Sequence, residues 1–298
     1  MFIDIDGDPT LAGAEELKAI ADAENSPPTE PSSCVSSGLE SKLANLHLKL
    51  HPQDESDTSF FNIRTSAFQK GKGAFASRDI QKGELILSER PLFCVPTYAP
   101  DTLWRISIEA AVQKLSPAHL DSYLSLHNSH NKCSCYPSSL LGLFATNAFT
   151  VFDGDSGICL RASRFNHSCS PNAWYSFNSN TGDLHIYAMG TIPRGEEISV
   201  SYIGCRRLFG SPRRLRQGDL RSRYHFTCAC SVCSLPKAKS KMIDARRQRV
   251  NELWEITGLF SPTQREQCLI VVVEAMHLLW EEGYLDDVDD FLNEAGPI

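Results

Sequence analysis

The chain has 298 residues, of which 42% are hydrophobic, and a formal net charge of −7 at pH 7. This length can bury one large core or two smaller ones, and no apolar run of about eighteen residues predicts a membrane span. The first residues are acidic and lack the apolar stretch and cleavage site of a secretory signal. Because disulfides are typical of secreted proteins, we do not expect the cysteines to be paired. Eleven cysteines then indicate metal ligands or free buried thiols.

The negative charge is concentrated at the start of the chain. Residues 1–60 hold twelve acidic residues and three lysines, a net of −9, which leaves about +2 for the remainder. Residues 25–41 are rich in Ser and Pro and poor in large apolar side chains, so they cannot offset their own ordering entropy. We therefore predict that residues 1–59 are acidic and largely disordered, and that the folded part begins near residue 60.

The folded part begins with strand patterns. Between residues 60 and 93, apolar positions alternate or run in short bursts separated by glycines, which predicts short strands joined by tight turns. Residues 102–127 change to helical spacing and predict two helices, the second with Ser116 as N-cap and Pro117 in its first turn. Strand patterns return between residues 157 and 203.

After residue 240 the pattern is helical, with two long periodic segments. The second of these segments is so apolar that we expect it to pack against another part of the protein. The fold class predicted is α+β: short strands and small sheets, a helical insert at about 98–145, and a C-terminal helical region over 237–298. An arginine-rich band at 206–223, with seven Arg and one Asp, is interpreted as a solvated helix face with some ion pairing rather than a surface for nucleic acid or an acidic protein.

Three closely spaced cysteines predict a metal site. Cys228, Cys230 and Cys233 supply three corners of a tetrahedron, and a closed structural zinc site needs four ligands. The candidates for the fourth ligand are Cys169, the Cys133/Cys135 pair, and His225.

Of these candidates, Cys169 is favoured. The Cys133/Cys135 pair lies in a polar loop and is interpreted as two thiols without a metal. With Cys169 used by zinc, His167 is left for packing or hydrogen bonding.

Four segments, in this order along the chain, resemble the SET-domain protein methyltransferases: "KGKGAFASRDIQKGELIL" (70–87), "RFNHSCSPNA" (164–173), "GEEISVSYI" (195–203) and "CACSVC" (228–233). The resemblance is greatest to the SET-and-MYND (SMYD) group, through "TNAFTVFDGDSGICLRASRFNHSC" (146–169). A MYND zinc finger would need a longer array of Cys and His within the insert than Cys133 and Cys135, so we expect none.

The resemblance implies a SET domain over 60–223 and a post-SET zinc segment over 224–236. It also implies a knot-like crossing, in which the segment at 164–169 threads beneath the loop that carries Tyr202. One structural zinc ion would be bound by Cys169, Cys228, Cys230 and Cys233. S-adenosylmethionine would be contacted by residues from several segments: Lys70, Gly71, Lys72, Gly73, Asn147, Ser163, Asn166, His167, Tyr202 and Phe226.

The activity implied is S-adenosylmethionine-dependent methylation of a lysine on a protein substrate, histone or non-histone, with Tyr202 as the catalytic residue. The alternative is an inactive SET module that serves as a zinc-stabilised interaction scaffold, and a third hypothesis is nucleic-acid binding through the arginines at 206–223. We expect a monomer in the nucleus or the cytoplasm. Glu196 and Glu197 are expected to pair structurally rather than act as bases.

Two other chemistries are disfavoured by the residues. A nucleophilic Cys169–His167 pair is disfavoured because residues two apart on a strand face the same side without being placed for proton transfer. A zinc deaminase would need a His-x-Glu pairing, whereas residues 167–169 read His-Ser-Cys.

Overall fold

A computed structural model of the chain describes residues 60–66, 71–96, 101–133, 135–151, 155–204, 208, 210–257, 259–261 and 263–282. The segment 1–59 that we predict to be disordered, and Lys70, lie outside the described residues. The predicted α+β class is confirmed, since small sheets of short strands are combined with several helices.

The described residues form ten strands, six α-helices and one 3₁₀ helix. The strands are β1 Phe61–Thr65, β2 Lys72–Ala76, β3 Leu85–Glu89, β4 Phe93–Val95, β5 Ala148–Thr150, β6 Ser156–Ile158, β7 Asn166–His167, β8 Ala173–Asn178, β9 Asp183–Ala188 and β10 Glu197–Val200. The helices are α1 Asp101–Gln113, α2 Pro117–Leu124, α3 Ser139–Asn147, the 3₁₀ helix Ala162–Arg164, α4 Arg213–Tyr224, α5 Lys237–Thr257 and α6 Arg265–Glu281.

The strands form three small sheets, in the orders β1-β2-β10-β7, β3-β9-β8 and β4-β6-β5. In the first sheet β10 is antiparallel to β2 and parallel to β7. The parallel pairing places Asn166 opposite Ser199 and His167 opposite Val200. Two segments that are distant in sequence therefore run side by side at one edge of this sheet.

The larger hydrophobic core lies among the sheets. On β9 the alternating residues Leu184 and Ile186 are fully buried, as a strand with one buried face requires. Ile198 on β10 and the consecutive residues Ile86 and Leu87 on β3 are also fully buried, and the pairing of β3 with β9 is irregular between Leu85 and Leu87. The period-two pattern of the sequence therefore places the correct side chains inward.

A second core is formed by α4, α5, α6 and the cysteines at 228–233. Leu220, Val250, Leu253 and Val272 pack there with Cys169, Cys228 and Cys233. The apolar α6 packs on α5 through Val272, Ala275 and Leu279, as its composition predicts. Tyr202 packs against both cores, so it lies where they meet.

The arginine-rich band is only partly solvated. Arg214, Arg221 and Arg223 are exposed, but Arg216 on the same helix is 1% exposed and forms an ion pair with Asp244 at 3.4 Å. The interpretation of the whole band as a solvated face is therefore wrong for Arg216, which faces the second core. No helix among the described residues is long and apolar enough to cross a membrane.

A buried carboxylate fixes the start of the 3₁₀ helix that leads into β7. Glu89 on β3 is 5% exposed and accepts the backbone N–H of Arg161 at 2.9 Å and that of Ala162 at 2.8 Å. A helix start leaves its first N–H groups without intrahelical partners, and a carboxylate satisfies them. Glu89 thus anchors the segment just before the strand Asn166–His167.

We expect Glu89→Ala to lower the free energy of unfolding by about 2–4 kcal/mol, because two buried N–H groups would lose their acceptor. Urea denaturation of the purified chain measures this change. Ser88→Ala is the matched control, since Ser88 is the exposed neighbour on the same strand, and its effect should stay within about 0.5 kcal/mol. Equal effects of the two substitutions would contradict the anchoring role.

Candidate active site

The side chain of Asn166 joins three elements of the first sheet. Its Nδ2 donates to the carbonyl oxygen of Lys72 at 3.2 Å and to Oε1 of Glu197 at 2.6 Å. The other oxygen of that carboxylate accepts the hydroxyl of Ser66 at 2.8 Å. This network fixes β7 against β10 and against the glycine-rich start of β2.

Gly73 is required by this close approach. A Cβ atom at position 73 would lie 2.8 Å from Asn166 Nδ2 and would also collide with Oε1 of Glu197. Any side chain here would displace the hydrogen bond that holds Asn166. Gly73 itself is buried, because the Asn166 amide and the Glu197 carboxylate fill the space beside its Cα. A glycine at this position lets the two segments approach each other this closely.

His167 positions the loop that follows β10. Its Nδ1 accepts the backbone N–H of Tyr202 at 2.9 Å, and its Nε2 lies 3.3 Å from Sγ of Cys169. Burial lowers the pKa of His167 to about 4, so the imidazole is neutral near pH 7 and its Nδ1 can accept. His167 is thus a structural link between the cysteine cluster and Tyr202.

Asn172 makes a second link between the same segments. Its Oδ1 accepts the backbone N–H of Ser199 at 2.8 Å, while its Nδ2 donates to the carbonyl of Glu197 at 3.0 Å and to Oε1 of Glu196 at 3.1 Å. Both glutamates therefore serve as hydrogen-bond acceptors within the fold. The parallel pairing of the two segments is thus held by side-chain hydrogen bonds on both sides of His167.

Tyr202 is half-buried, and its phenol has a fixed orientation. The hydroxyl donates to the carbonyl oxygen of Phe165 at 2.8 Å. Burial, together with the nearby Tyr224 and Glu197, raises the pKa of Tyr202 well above its usual value. The phenol is therefore neutral near pH 7, and a proton directed at Phe165 leaves the oxygen lone pairs available as acceptors.

Aromatic rings surround this phenol. The ring centroid of Tyr202 lies 5.1 Å from that of Tyr224, 5.4 Å from His167 and 6.5 Å from Phe226. The Tyr224 hydroxyl also approaches the Tyr202 carbonyl at 3.5 Å. Aromatic faces attract cations, so this aromatic cluster of Tyr202, Tyr224 and Phe226 suits a positively charged ligand. No sequence motif pointed to Tyr224, which stands two residues before Phe226.

Asn147 and Ser163 lie next to each other. The Asn147 amide donates to the carbonyls of His127 and Leu143, both at 2.8 Å. The Ser163 hydroxyl donates to Cys159 O at 2.6 Å and to Asn147 O at 3.3 Å. These bonds join the end of α3 to the start of the 3₁₀ helix, and a contact of either residue with a cofactor remains a prediction.

The structure brings Cys169 together with the three cysteines at 228–233. The sulfur atoms of Cys169, Cys228, Cys230 and Cys233 all lie within 4.8 Å of one another, and those of Cys169 and Cys233 are 3.6 Å apart. Four thiols this close together match the ligand set of a closed structural zinc centre and could hold one ion.

Helix α4 supports this cluster with two buried polar side chains. Gln217 accepts the N–H of Cys228 at 2.9 Å and donates to the carbonyl of the same residue at 2.7 Å. Burial acts to lower the pKa of Arg216, but Cys169, Cys233 and Asp244 beside it raise that pKa above its usual value. A charged guanidinium here complements four thiolates, whose charge exceeds that of one Zn²⁺. Sequence patterns gave no signal for Gln217, since glutamine is common on helices.

A known protein family matches the part of the chain that contains most of these residues. Residues 71–203 match the family profile of the SET domain. Residues 71–203 are a SET domain. This range contains Gly73, Asn166, His167 and Tyr202, whereas the post-SET cysteines follow it.

Relatives with assigned names are similar over parts of the chain. The histone-lysine N-methyltransferase set5 of Schizosaccharomyces pombe is 29% identical over 202 residues, which is 67% of this chain and 57% of that protein. The protein-lysine N-trimethyltransferase SMYD5 of Danio rerio is 46% identical over 26% of this chain and 19% of its own length. The N-lysine methyltransferase SMYD2 of Gallus gallus is 31% identical over 41% of this chain and 29% of its own length. The chain therefore spans less than two thirds of the length of each of these relatives.

A solved structure from Plasmodium falciparum is similar over 49% of this chain and 94% of the solved chain, with 21% sequence identity and a TM-score of 0.27.

We expect Cys230→Ser to lose one zinc equivalent per chain and to lower the thermal midpoint, because a structural zinc site that loses a thiolate ligand is strongly weakened. Metal analysis of the desalted protein and a thermal melt measure both effects. Cys268→Ser is the control, since Cys268 is a free cysteine on α6 outside the cluster. Zinc content equal to that of the unsubstituted chain in Cys230→Ser would contradict the assignment.

Proposed function

We propose that this SET domain is an S-adenosylmethionine-dependent protein-lysine N-methyltransferase. The observation that carries the proposal is the orientation of Tyr202: a neutral phenol, hydrogen-bonded to Phe165 O, at the centre of an aromatic cluster beside Asn166 and His167. The relatives' names support the same reaction class.

The residues present fit the cofactor. Lys72 is exposed and Asn166 is half-buried at the same end of the sheet, so they offer polar groups to the amino-acid and ribose portions of the cofactor. Phe226 is a partly buried ring close to His167 and suits a stacked adenine. When bound, S-adenosylmethionine supplies a methyl group on a cationic sulfonium. We propose that Gly71, Lys72, Gly73, Asn166, His167, Tyr202 and Phe226 contact it, with Lys70, Asn147 and Ser163 nearby.

The task of the chain is to align the nucleophile and to keep it neutral. A free lysine has a pKa of about 10.4 and is neutral only about one time in a thousand near pH 7.4. An aromatic surrounding removes water from the amine and lowers its pKa. Tyr202 cannot serve as a phenolate base with its raised pKa, so we assign it to orienting the amine through the lone pairs of its phenol oxygen.

The substrate is a protein with an accessible lysine. Some relatives are named for the methylation of histone lysines and others for that of protein lysines. We therefore propose a histone or non-histone protein of the nucleus or the cytoplasm as the substrate. Incubation of the pure chain with labelled cofactor and a cell extract identifies it. Absence of any cofactor binding in calorimetry would instead favour the inactive scaffold.

We expect Tyr202→Phe to lower kcat about 100-fold, the size seen when one positioned polar group is removed from a reacting centre. The Kd of S-adenosylmethionine, measured by calorimetry, should change little. Tyr187→Phe is the matched control, since it removes a hydroxyl from β9, outside the aromatic cluster. A Tyr202→Phe enzyme with unchanged turnover would remove Tyr202 from this role.

We expect Gly73→Ala to raise the Kd of S-adenosylmethionine at least about tenfold, which is about 1.4 kcal/mol. The added methyl group would displace Asn166 from its bond to Glu197. Gly190→Ala is the control, because a Cβ there would meet nothing within 4 Å. Circular dichroism first verifies that both variants fold, and calorimetry then measures their affinity for S-adenosylmethionine. Equal affinities would argue against a role of the Gly73–Asn166 contact in binding the cofactor.

A further inference from the structure

A second group of metal-ligand side chains lies between the helical insert and the end of α4. It consists of His130, Cys133 and Cys135 from the loop before α3, and His225 directly after α4. One ligand atom from each of the four lies within 4.8 Å of the others. None of these residues belongs to the four-cysteine cluster or to the aromatic cluster.

The distances between these atoms are close to those of a tetrahedral zinc site. With Zn–N of about 2.0–2.1 Å and Zn–S of about 2.3 Å, the ligand edges are about 3.3 Å for N–N and about 3.6 Å for N–S. His130 Nδ1 and His225 Nε2 are 3.0 Å apart, and Sγ of Cys133 lies 3.8 Å and 3.6 Å from these two nitrogens. Sγ of Cys135 lies 3.7 Å from His225 Nε2.

The remaining pair, Cys133 and Cys135, is joined as a disulfide in the structure. The disulfide explains why the two cysteine sulfur atoms are close to each other, but it gives no role to the two histidines. A hydrogen bond between the two imidazoles, from segments 95 residues apart, accounts for their contact with each other but not for the approach of both sulfur atoms to His225 Nε2. A bound cation accounts for all four.

The backbone of His225 is a second, independent observation. His225 has a φ of 55°, and it is the one residue other than glycine with positive φ in the described part of the chain. The left-handed conformation is unfavourable for a residue with a Cβ, by about 1–2 kcal/mol, and glycine is the usual residue at this position after a helix. Here it turns the imidazole towards His130, with ring centroids 4.7 Å apart.

We propose that His130, Cys133, Cys135 and His225 bind a second zinc ion when the cysteines are reduced. Two sulfur and two nitrogen ligands in a tetrahedron are typical of zinc. The disulfide must first take two electrons and two protons from a thiol reductant, which gives two thiols. Each thiol then loses its proton as it binds the metal.

This zinc site fastens the helical insert to the post-SET segment. His225 binds one ion and Cys228, three residues later, belongs to the other, so residues 225–233 bridge the two centres. Phe226 of the aromatic cluster lies inside that bridge. The same spacing, His-x-x-Cys-x-Cys, occurs at 130–135 and at 225–230, and it is the sequence signal for both sites. The interpretation of Cys133 and Cys135 as metal-free thiols is replaced by this proposal.

The test is the zinc content of the full chain, purified with a phosphine reductant and zinc and then desalted. We expect two equivalents in the unsubstituted chain by metal analysis and by native mass spectrometry. Cys133→Ser/Cys135→Ser should hold one, and Cys94→Ser/Cys268→Ser, which also removes two thiols, should hold two. Because Cys135 and His225 are exposed whereas the other cluster is largely buried, a chelator should remove the second equivalent faster.

His225→Gln provides a variant on an exposed side chain, in case the cysteine variant fails to fold, and it should also hold one equivalent. Cobalt in place of zinc adds a spectroscopic reading: the thiolate-to-cobalt absorption lost in Cys133→Ser/Cys135→Ser should be smaller than that lost in Cys230→Ser. A reduced, unsubstituted chain with a single equivalent that Cys230→Ser removes would overturn the proposal. So would two equivalents retained in both Cys133→Ser/Cys135→Ser and His225→Gln.

Discussion

The hydrogen bond from the backbone N–H of Tyr202 to Nδ1 of His167 fixes the geometry of the whole site. It depends on an unprotonated imidazole, which burial provides. On one side of His167, Asn166 is fixed by Glu197 and the Lys72 carbonyl, and on the other, Cys169 is held in the cysteine cluster. The position of the phenol therefore follows from contacts on both sides of a two-residue strand.

Local signals in the sequence predicted much of this arrangement. Period-two alternation identified β9 and β10, because one face of each strand is buried in the sheet core. Ser116 and Pro117 marked the start of α2, and Ser116 indeed accepts the N–H of His119. The spacing of Cys228, Cys230 and Cys233 indicated a metal centre, since three thiols this close have few other uses. Each of these signals acts within about six residues.

The remaining features depend on partners distant in sequence. The burial of Arg216 could not be predicted from an arginine-rich helix, because it requires Asp244 and the cysteine cluster to meet one face of α4. The convergence of His130 and His225 depends on how the insert folds back onto α4. Composition predicts that arginines favour water, but tertiary packing decides which arginine of this segment becomes buried.

The contact between Cys169 and Cys233 spans 64 residues. Asn166, His167 and Tyr202 all precede α4, yet the lobe that holds Cys169 is completed only by the last of these cysteines. During synthesis the ribosome must release the chain beyond position 233 before this loop can close. A nascent polypeptide that already contains every residue of the 71–203 domain would still lack three of the four clustered cysteines, so the surroundings of His167 and Tyr202 are complete only after residues 228–233 have emerged.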